Sequence, residues 1–270
     1  MTTDTLSPAE FVQRARRFTP RIWVTPTLVA INVAVFLLML ADRVSFFSPS
    51  VRDLVAWGGN AGVLSLRYGQ TWRLVTCLFV HAGIVHIGMN MIVLWDIGRF
   101  VERLVGNAAM LIAYMLSGLV GSLAGAALHP AVVSIGASGA IFGLYGLLFG
   151  FLARHHHTIP RPMLLRLRKA AGAFVIYNLL FSVAVPGIDL WAHLGGLAGG
   201  FVAGVGIAAP LTEAGARSRL WRNALVAAVG MAALAGATWA LMPHHRDAAT
   251  TNRGSMAVSS FARTFGQGAS

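Results

Sequence analysis

A serine hydroxyl attacks a carbonyl only when a base takes its proton, and an imidazole within hydrogen-bond reach is the usual base. Two fragments of the chain supply such a pair: Gly136-Ala137-Ser138-Gly139 and Ala192-His193-Leu194-Gly195-Gly196, each heading a hydrophobic stretch. A polar side chain at membrane depth is costly unless it has a partner and a task. Ser138 and His193 are therefore candidates for nucleophile and general base in acyl transfer. The intermediate of that reaction carries an oxyanion, which needs fixed donors. Ser138 would open a helix, whose first backbone N–H groups lack intrahelical partners. His86 and Asn90 are four residues apart and so share a helical face, where both can add donors; His81 and Gly136 lie near the same mouth as supports. Phe142, one turn beyond Ser138, can stack against His193.

These groups need a membrane scaffold. The chain is 56% hydrophobic and only 11% charged, against about 25% charged in soluble domains. Net charge is +12, with Lys169 the one lysine. The arginines fall between hydrophobic stretches, so lipid headgroups rather than nucleic acid are the expected partner. Cys77 is the single cysteine, which excludes an intramolecular disulfide and any multi-cysteine metal site; it is expected to pack as a small apolar residue.

Charge-free windows mark seven spans. The first lies between Arg21 and Asp42, and the second within Leu74–Trp95. Two more fit between Arg103 and Arg154, divided by His129-Pro130 into Ala108–Leu128 and Ser138–Ala153. The rest are Ala170–Val185, Leu190–Ala209 and Ala224–Met242. The expected fold is all-α and polytopic. A cleaved signal peptide is disfavoured, because Met39-Leu40-Ala41 lacks the small residue wanted before a cut. The loop 42–73, with Phe46, Phe47, Trp57 and Leu64 among glycines and serines, is too apolar for a free linker and reads as interfacial.

Basic residues orient the spans. Arg14, Arg16, Arg17 and Arg21 precede the first; Arg99 and Arg103 follow the second; Arg154, Arg161, Arg166, Arg168 and Lys169 separate the fourth and fifth; Arg217, Arg219 and Arg222 separate the sixth and seventh. All fall on one side if the N-terminus is cytoplasmic. Spans two, four and six then begin at the outer side, which brings His81, His86, Asn90, Ser138 and His193 to one end. Gly136, Gly139, Gly143, Gly146 and Gly150 thin the face of the fourth span. Gly196, Gly200 and Gly204 do the same for the sixth, allowing the close contact that a Ser–His pair about 3 Å apart requires.

Trp72-Arg73, His81-x4-His86-x3-Asn90, the Ser138 segment and the His193 segment together resemble those of the rhomboid family of intramembrane serine proteases, over roughly residues 69–210. The Ser138 segment alone is a weak signal; four motifs in order on the right spans are a strong one. The resemblance implies a six-helix core (23–210) after a cytoplasmic segment (1–22). A connection with an added seventh helix (211–243) and a disordered outer tail (244–270) would follow. It implies a Ser138–His193 dyad without an acidic third member. His86 and Asn90 would hold the oxyanion with the Ser138 amide. Substrates would be single-span membrane proteins cut near their outer ends through an acyl-enzyme, without cofactor or metal. Phe142 stands where a tyrosine is common in the family; stacking needs only the ring.

Plainer roles stand beside these. A serine near glycine in a span often only bonds a carbonyl one turn back, and His86 and Asn90 can be interhelical structural bonds. His155-His156-His157 reads as a solvated loop, Asp189 as a helix N-terminal charge, and Glu102-Arg103 as an ion pair or cap. The functional alternatives are a non-proteolytic binder of membrane clients and a transporter. The latter would want an intramembrane charge or an inverted repeat, and neither is present in the sequence. Ala/Gly/Arg-rich usage points to a bacterial plasma membrane; oligomeric state and substrate identity are not written in the chain.

Overall fold

The computed structural model describes residues 7–209 and 211–243, so the expected tail 244–270 lies outside the described residues. Helix α1 (Pro8–Phe18) starts with a capping box in which Ser7 and Glu10 each bond the other's backbone N–H, and it buries Phe11 and Ala15. By sequence this stretch falls in a cytoplasmic segment with no helix assigned to it. Its apolar residues are few, and helical spacing is what gathers them on one face.

Helix α2 (Val24–Ala41) is the first span. Between it and the second lie α3 (Val51–Ala56), strand β1 (Asn60–Ala61), a π-helical turn (Val63–Arg67) and α4 (Arg73–Thr76). The apolar loop is thus folded, as its composition implied. Arg73 organises it: the buried guanidinium donates to the carbonyls of Val55 (2.6 Å) and Gly59 (3.0 Å) and to the Gln70 side chain (2.6 Å), and it lies 4.4 Å from the centre of the Trp72 ring.

Helix α5 (Ile84–Val105) corrects the expected second span, Leu74–Trp95. Residues 77–83 form turns, closed by Gly83 at φ +90°. At the other end the helix runs on through Asp96, Arg99, Glu102 and Arg103. A charge-free window bounds the apolar stretch, not the helix, and here the charges have helical work. The buried Glu102 carboxylate accepts from the N–H groups of Trp23, Val24 and Thr25, each at 2.8 Å, and from the Thr25 hydroxyl at 2.6 Å. It therefore caps α2 from a distance of many residues, satisfying donors that the start of a helix leaves open. The expected cap is present, without an ion pair to Arg103. Arg103 instead donates to the Thr19 and Pro20 carbonyls.

Helix α6 (Asn107–Leu128) leads through strand β2 (Val133–Ser134) to α7 (Ser138–Arg154). Strand β2 pairs antiparallel with β1, Asn60 opposite Ser134 and Ala61 opposite Val133. Helices α8 (Arg161–Ala184), α9 (Leu190–Ile207) and α10 (Glu213–Leu241) complete the described chain. Helices α8 and α10 begin about two and a half and about three turns before the expected spans, again by taking in basic residues. Among the described residues, six helices are at least 18 residues long and apolar enough to cross a bilayer, and α7 is a shorter apolar helix. The protein is an all-α, multi-pass membrane protein.

Helix α7 forms the centre. It is buried along nearly its whole length, whereas α10 buries only Gly215 and Asn223. Seventeen residues span about 25 Å, short of a hydrocarbon core of about 30 Å. One end of α7 must therefore lie below a membrane surface.

Candidate active site

The chain turns into α7 through Gly136, whose φ of +95° is one that only glycine adopts at little cost. Any Cβ there would also sit 2.8 Å from Nε2 of His86. The Gly136 N–H donates to the Cys77 carbonyl at 2.8 Å, and Ser138 follows as the first residue of α7. His193 lies in the first turn of α9. Asp189 caps that helix: one carboxylate oxygen accepts from the Trp191 and Ala192 N–H groups, both at 3.1 Å. Its other oxygen accepts the Ser134 hydroxyl. Asp189 thereby ties the head of α9 to the strand that leads into Ser138, besides supplying the expected helix N-terminal charge.

Glycines bring the two helices together. A Cβ on Gly196 would overlap the Gly139 backbone, one on Gly200 the Gly143 backbone, and one on Gly204 the backbone of Leu147. The converse holds for Gly146 against Leu197 and Gly150 against Phe201. Backbone meets backbone along the whole seam, the close approach that small residues allow in lipid.

At the top of this seam Ser138 Oγ stands 2.8 Å from His193 Nε2. The Phe142 ring stacks on the imidazole, with centroids 4.4 Å apart and planes 13° from parallel. The other ring nitrogen, Nδ1, is 2.8 Å from the hydroxyl of Ser182 on α8. Sequence reading missed Ser182, because which face of α8 meets His193 depends on helix rotation that spacing does not encode. It missed Ser134 too, which lies in an irregular stretch with no periodic pattern to flag it.

The remaining candidates gather at the same end but differ in what they offer. His86 Nδ1 accepts from the Ala82 N–H at 3.2 Å. This places the ring proton on Nε2, the atom bordering Gly136. Asn90 spends one N–H on the His86 carbonyl at 2.8 Å, and its Oδ1 is buried without a hydrogen-bond partner among the described residues. His81 is fully buried. Its Nε2 accepts from the Ala137 N–H at 3.4 Å, and its Nδ1 faces the Phe79 carbonyl at 3.2 Å. Both ring nitrogens are engaged by backbone, so His81 keeps no free donor: it braces the turn before Ser138. His155, His156 and His157 lie in a turn after α7, at the end of the helix opposite Ser138.

Comparison with known proteins identifies the family. Residues 68–210 match the family model described as the rhomboid domain. The chain is 36% identical over 212 residues to the rhomboid protease GluP of Bacillus subtilis, covering 78% of this chain and 39% of that protein. It is 33% identical over 163 residues to the putative rhomboid protease YdcA of the same organism, covering 58% of this chain and 78% of the relative. RHOMBOID-like protein 4 of Arabidopsis thaliana is 32% identical over 206 residues, covering 67% of this chain and 52% of that protein. The chain thus spans about half or less of GluP and of the plant protein, and most of YdcA. A domain match over more than half the chain, on a polytopic helical scaffold, places this protein in the rhomboid family.

Proposed function

We propose that the chain is an intramembrane serine endopeptidase that hydrolyses peptide bonds in or near the transmembrane segments of other membrane proteins. The observation that carries this reading is the 2.8 Å approach of Ser138 Oγ to His193 Nε2, with the imidazole face clamped by Phe142. In the acylation step His193 Nε2 takes the hydroxyl proton as Oγ attacks the scissile carbonyl. The same imidazolium then protonates the leaving amine. Water, deprotonated by His193 in turn, releases the acyl group and restores Ser138. The oxyanion meets the Ser138 N–H, which belongs to the first turn of α7 and needs no helical partner. The His86 Nε2–H and the second N–H of Asn90 face the same end of the bundle and complete the donor set. The Ala137 N–H is taken by His81 and is not part of it.

The substrates are single-span proteins embedded in the same bilayer, cut from the end of the bundle where Ser138 lies. The distribution of arginine between the spans supports an outer-side placement of that end, with a cytoplasmic N-terminus, and the Ala/Gly/Arg-rich usage supports a bacterial plasma membrane. The six spans within 23–210 form the catalytic unit, and α10 is an addition to it.

The test is cleavage of a model single-span substrate by the detergent-purified chain. Ser138→Ala and His193→Ala should each lower kcat by at least about a thousandfold. Cleavage by either variant at the parental rate would refute the assignment. A chain that binds such a substrate yet yields no product under any condition would instead be a non-proteolytic client binder.

A further inference from the structure

The bonds around His193 contain one proton-counting constraint. Ser182 Oγ lies 2.7 Å from the Asn178 carbonyl oxygen on its own helix and 2.8 Å from His193 Nδ1. A hydroxyl has one hydrogen. A carbonyl oxygen can only accept, so that hydrogen belongs to the Asn178 contact; the alternative would set two oxygen lone pairs against each other at 2.7 Å. Ser182 Oγ must then accept, and what it accepts is the proton on Nδ1. With Nδ1 protonated, Nε2 carries the lone pair, and it faces Ser138 Oγ at 2.8 Å. The chain of donors runs in one direction: Ser138 O–H to Nε2, Nδ1–H to Ser182 Oγ, Ser182 O–H to the Asn178 carbonyl.

We infer that Ser182 is a positioning residue that holds His193 in the base-competent tautomer, an inference that rests on the proposed serine-protease reading. It occupies the place that a carboxylate takes in a three-residue arrangement. An uncharged hydroxyl suits a membrane interior, where an isolated carboxylate is expensive. No proton passes through it. When Nε2 takes the Ser138 proton, Nδ1 keeps its own proton and its acceptor, so nothing has to rotate as the imidazolium forms. A serine that merely back-bonds its helix needs only the i−4 carbonyl; Ser182 makes that bond and turns its remaining lone pair on the base. Helix α8 buries just Leu164, Ala171, Val175 and Ser182, so it is an exposed helix with a buried hydroxyl at His193. Phe142 restrains the imidazole by its face and Ser182 by its edge, two restraints that leave Nε2 aimed at Ser138.

The test uses the full chain with a model single-span substrate and four variants: Ser182→Ala, Ser182→Val, Ser182→Thr and Ser138→Ala. Ala and Val should lower kcat by about tenfold or more with KM unchanged, the size expected for one lost hydrogen bond to the base. Thr, which matches Val in shape but keeps the hydroxyl, should stay within about threefold of the parent. Equal rates for Thr and Val, a parental kcat for Ala, or a loss confined to KM would overturn the role of Ser182. A parental rate for Ser138→Ala would instead overturn the protease reading. Independently of activity, 15N NMR of the histidines, with His193 assigned by difference from His193→Ala, should report one tautomer in the parent. The Val variant should report a mixture; an unchanged His193 signal there would also overturn the inference.

Discussion

At the scale of single residues, the central feature is an imidazole held at both nitrogens and on one face. Nε2 meets Ser138, Nδ1 meets Ser182 and one face meets Phe142. Stacking of this kind contributes about 0.5–1.5 kcal/mol beyond area burial. Its loss would let the ring tilt away from Ser138. Phe142→Ala should therefore reduce kcat by about three- to tenfold, while Phe142→Tyr, which keeps the ring, should leave cleavage near the parental rate. Steady-state kinetics on one substrate decides this, and a Tyr variant as impaired as Ala would show that the face contact is not what matters. That Ser138, His193 and Phe142 would meet was legible from residue type and spacing together with the family resemblance. Ser182 was not. Its partner lies on the next helix, and its orientation depends on how α8 rotates against α9. His81 was half legible: its place near the mouth was foreseen, but the spending of both ring nitrogens on backbone depends on turn geometry that no periodicity encodes.

At the scale of elements, hydropathy located the six long apolar helices and the shorter α7 found among the described residues, and misjudged where several begin. The error has one cause. Apolar windows stop at charges, whereas helices continue as long as charged side chains find partners beyond the apolar stretch. Glu102 is the clearest case, since it extends α5 in order to cap α2. Arg103, bonded to the carbonyls of Thr19 and Pro20, is another. Helix α1 was invisible for the opposite reason: its two buried residues, Phe11 and Ala15, are too few to register against its arginines. The glycine seam between α7 and α9 was legible as a pattern. The pairing of particular glycines, Gly196 with Gly139 and Gly200 with Gly143, is a matter of register that spacing alone leaves open. The short strands β1 and β2 had no signal, being two residues each, yet they join the first loop to the segment that delivers Ser138.

At the scale of the whole molecule, the proposed topology opens the head of α7 toward the outer side. The chain's only cysteine, Cys77, is buried, so introduced thiols can report sidedness against a silent background. In intact cells, a membrane-impermeant maleimide should label Ile188→Cys, before α9, and spare Thr158→Cys, between α7 and α8. The reverse pattern would invert the proposed orientation. The account rests above all on Ser138 being activated by His193 within the folded bundle. An active-site-directed fluorophosphonate reports that activation without any choice of substrate. Mass spectrometry of the labelled, purified chain should find the adduct on Ser138, with labelling abolished in Ser138→Ala and reduced at least about a hundredfold in His193→Ala. Labelling of Ser138 that persists undiminished without His193, or no adduct on Ser138 in a chain that is folded, would contradict it.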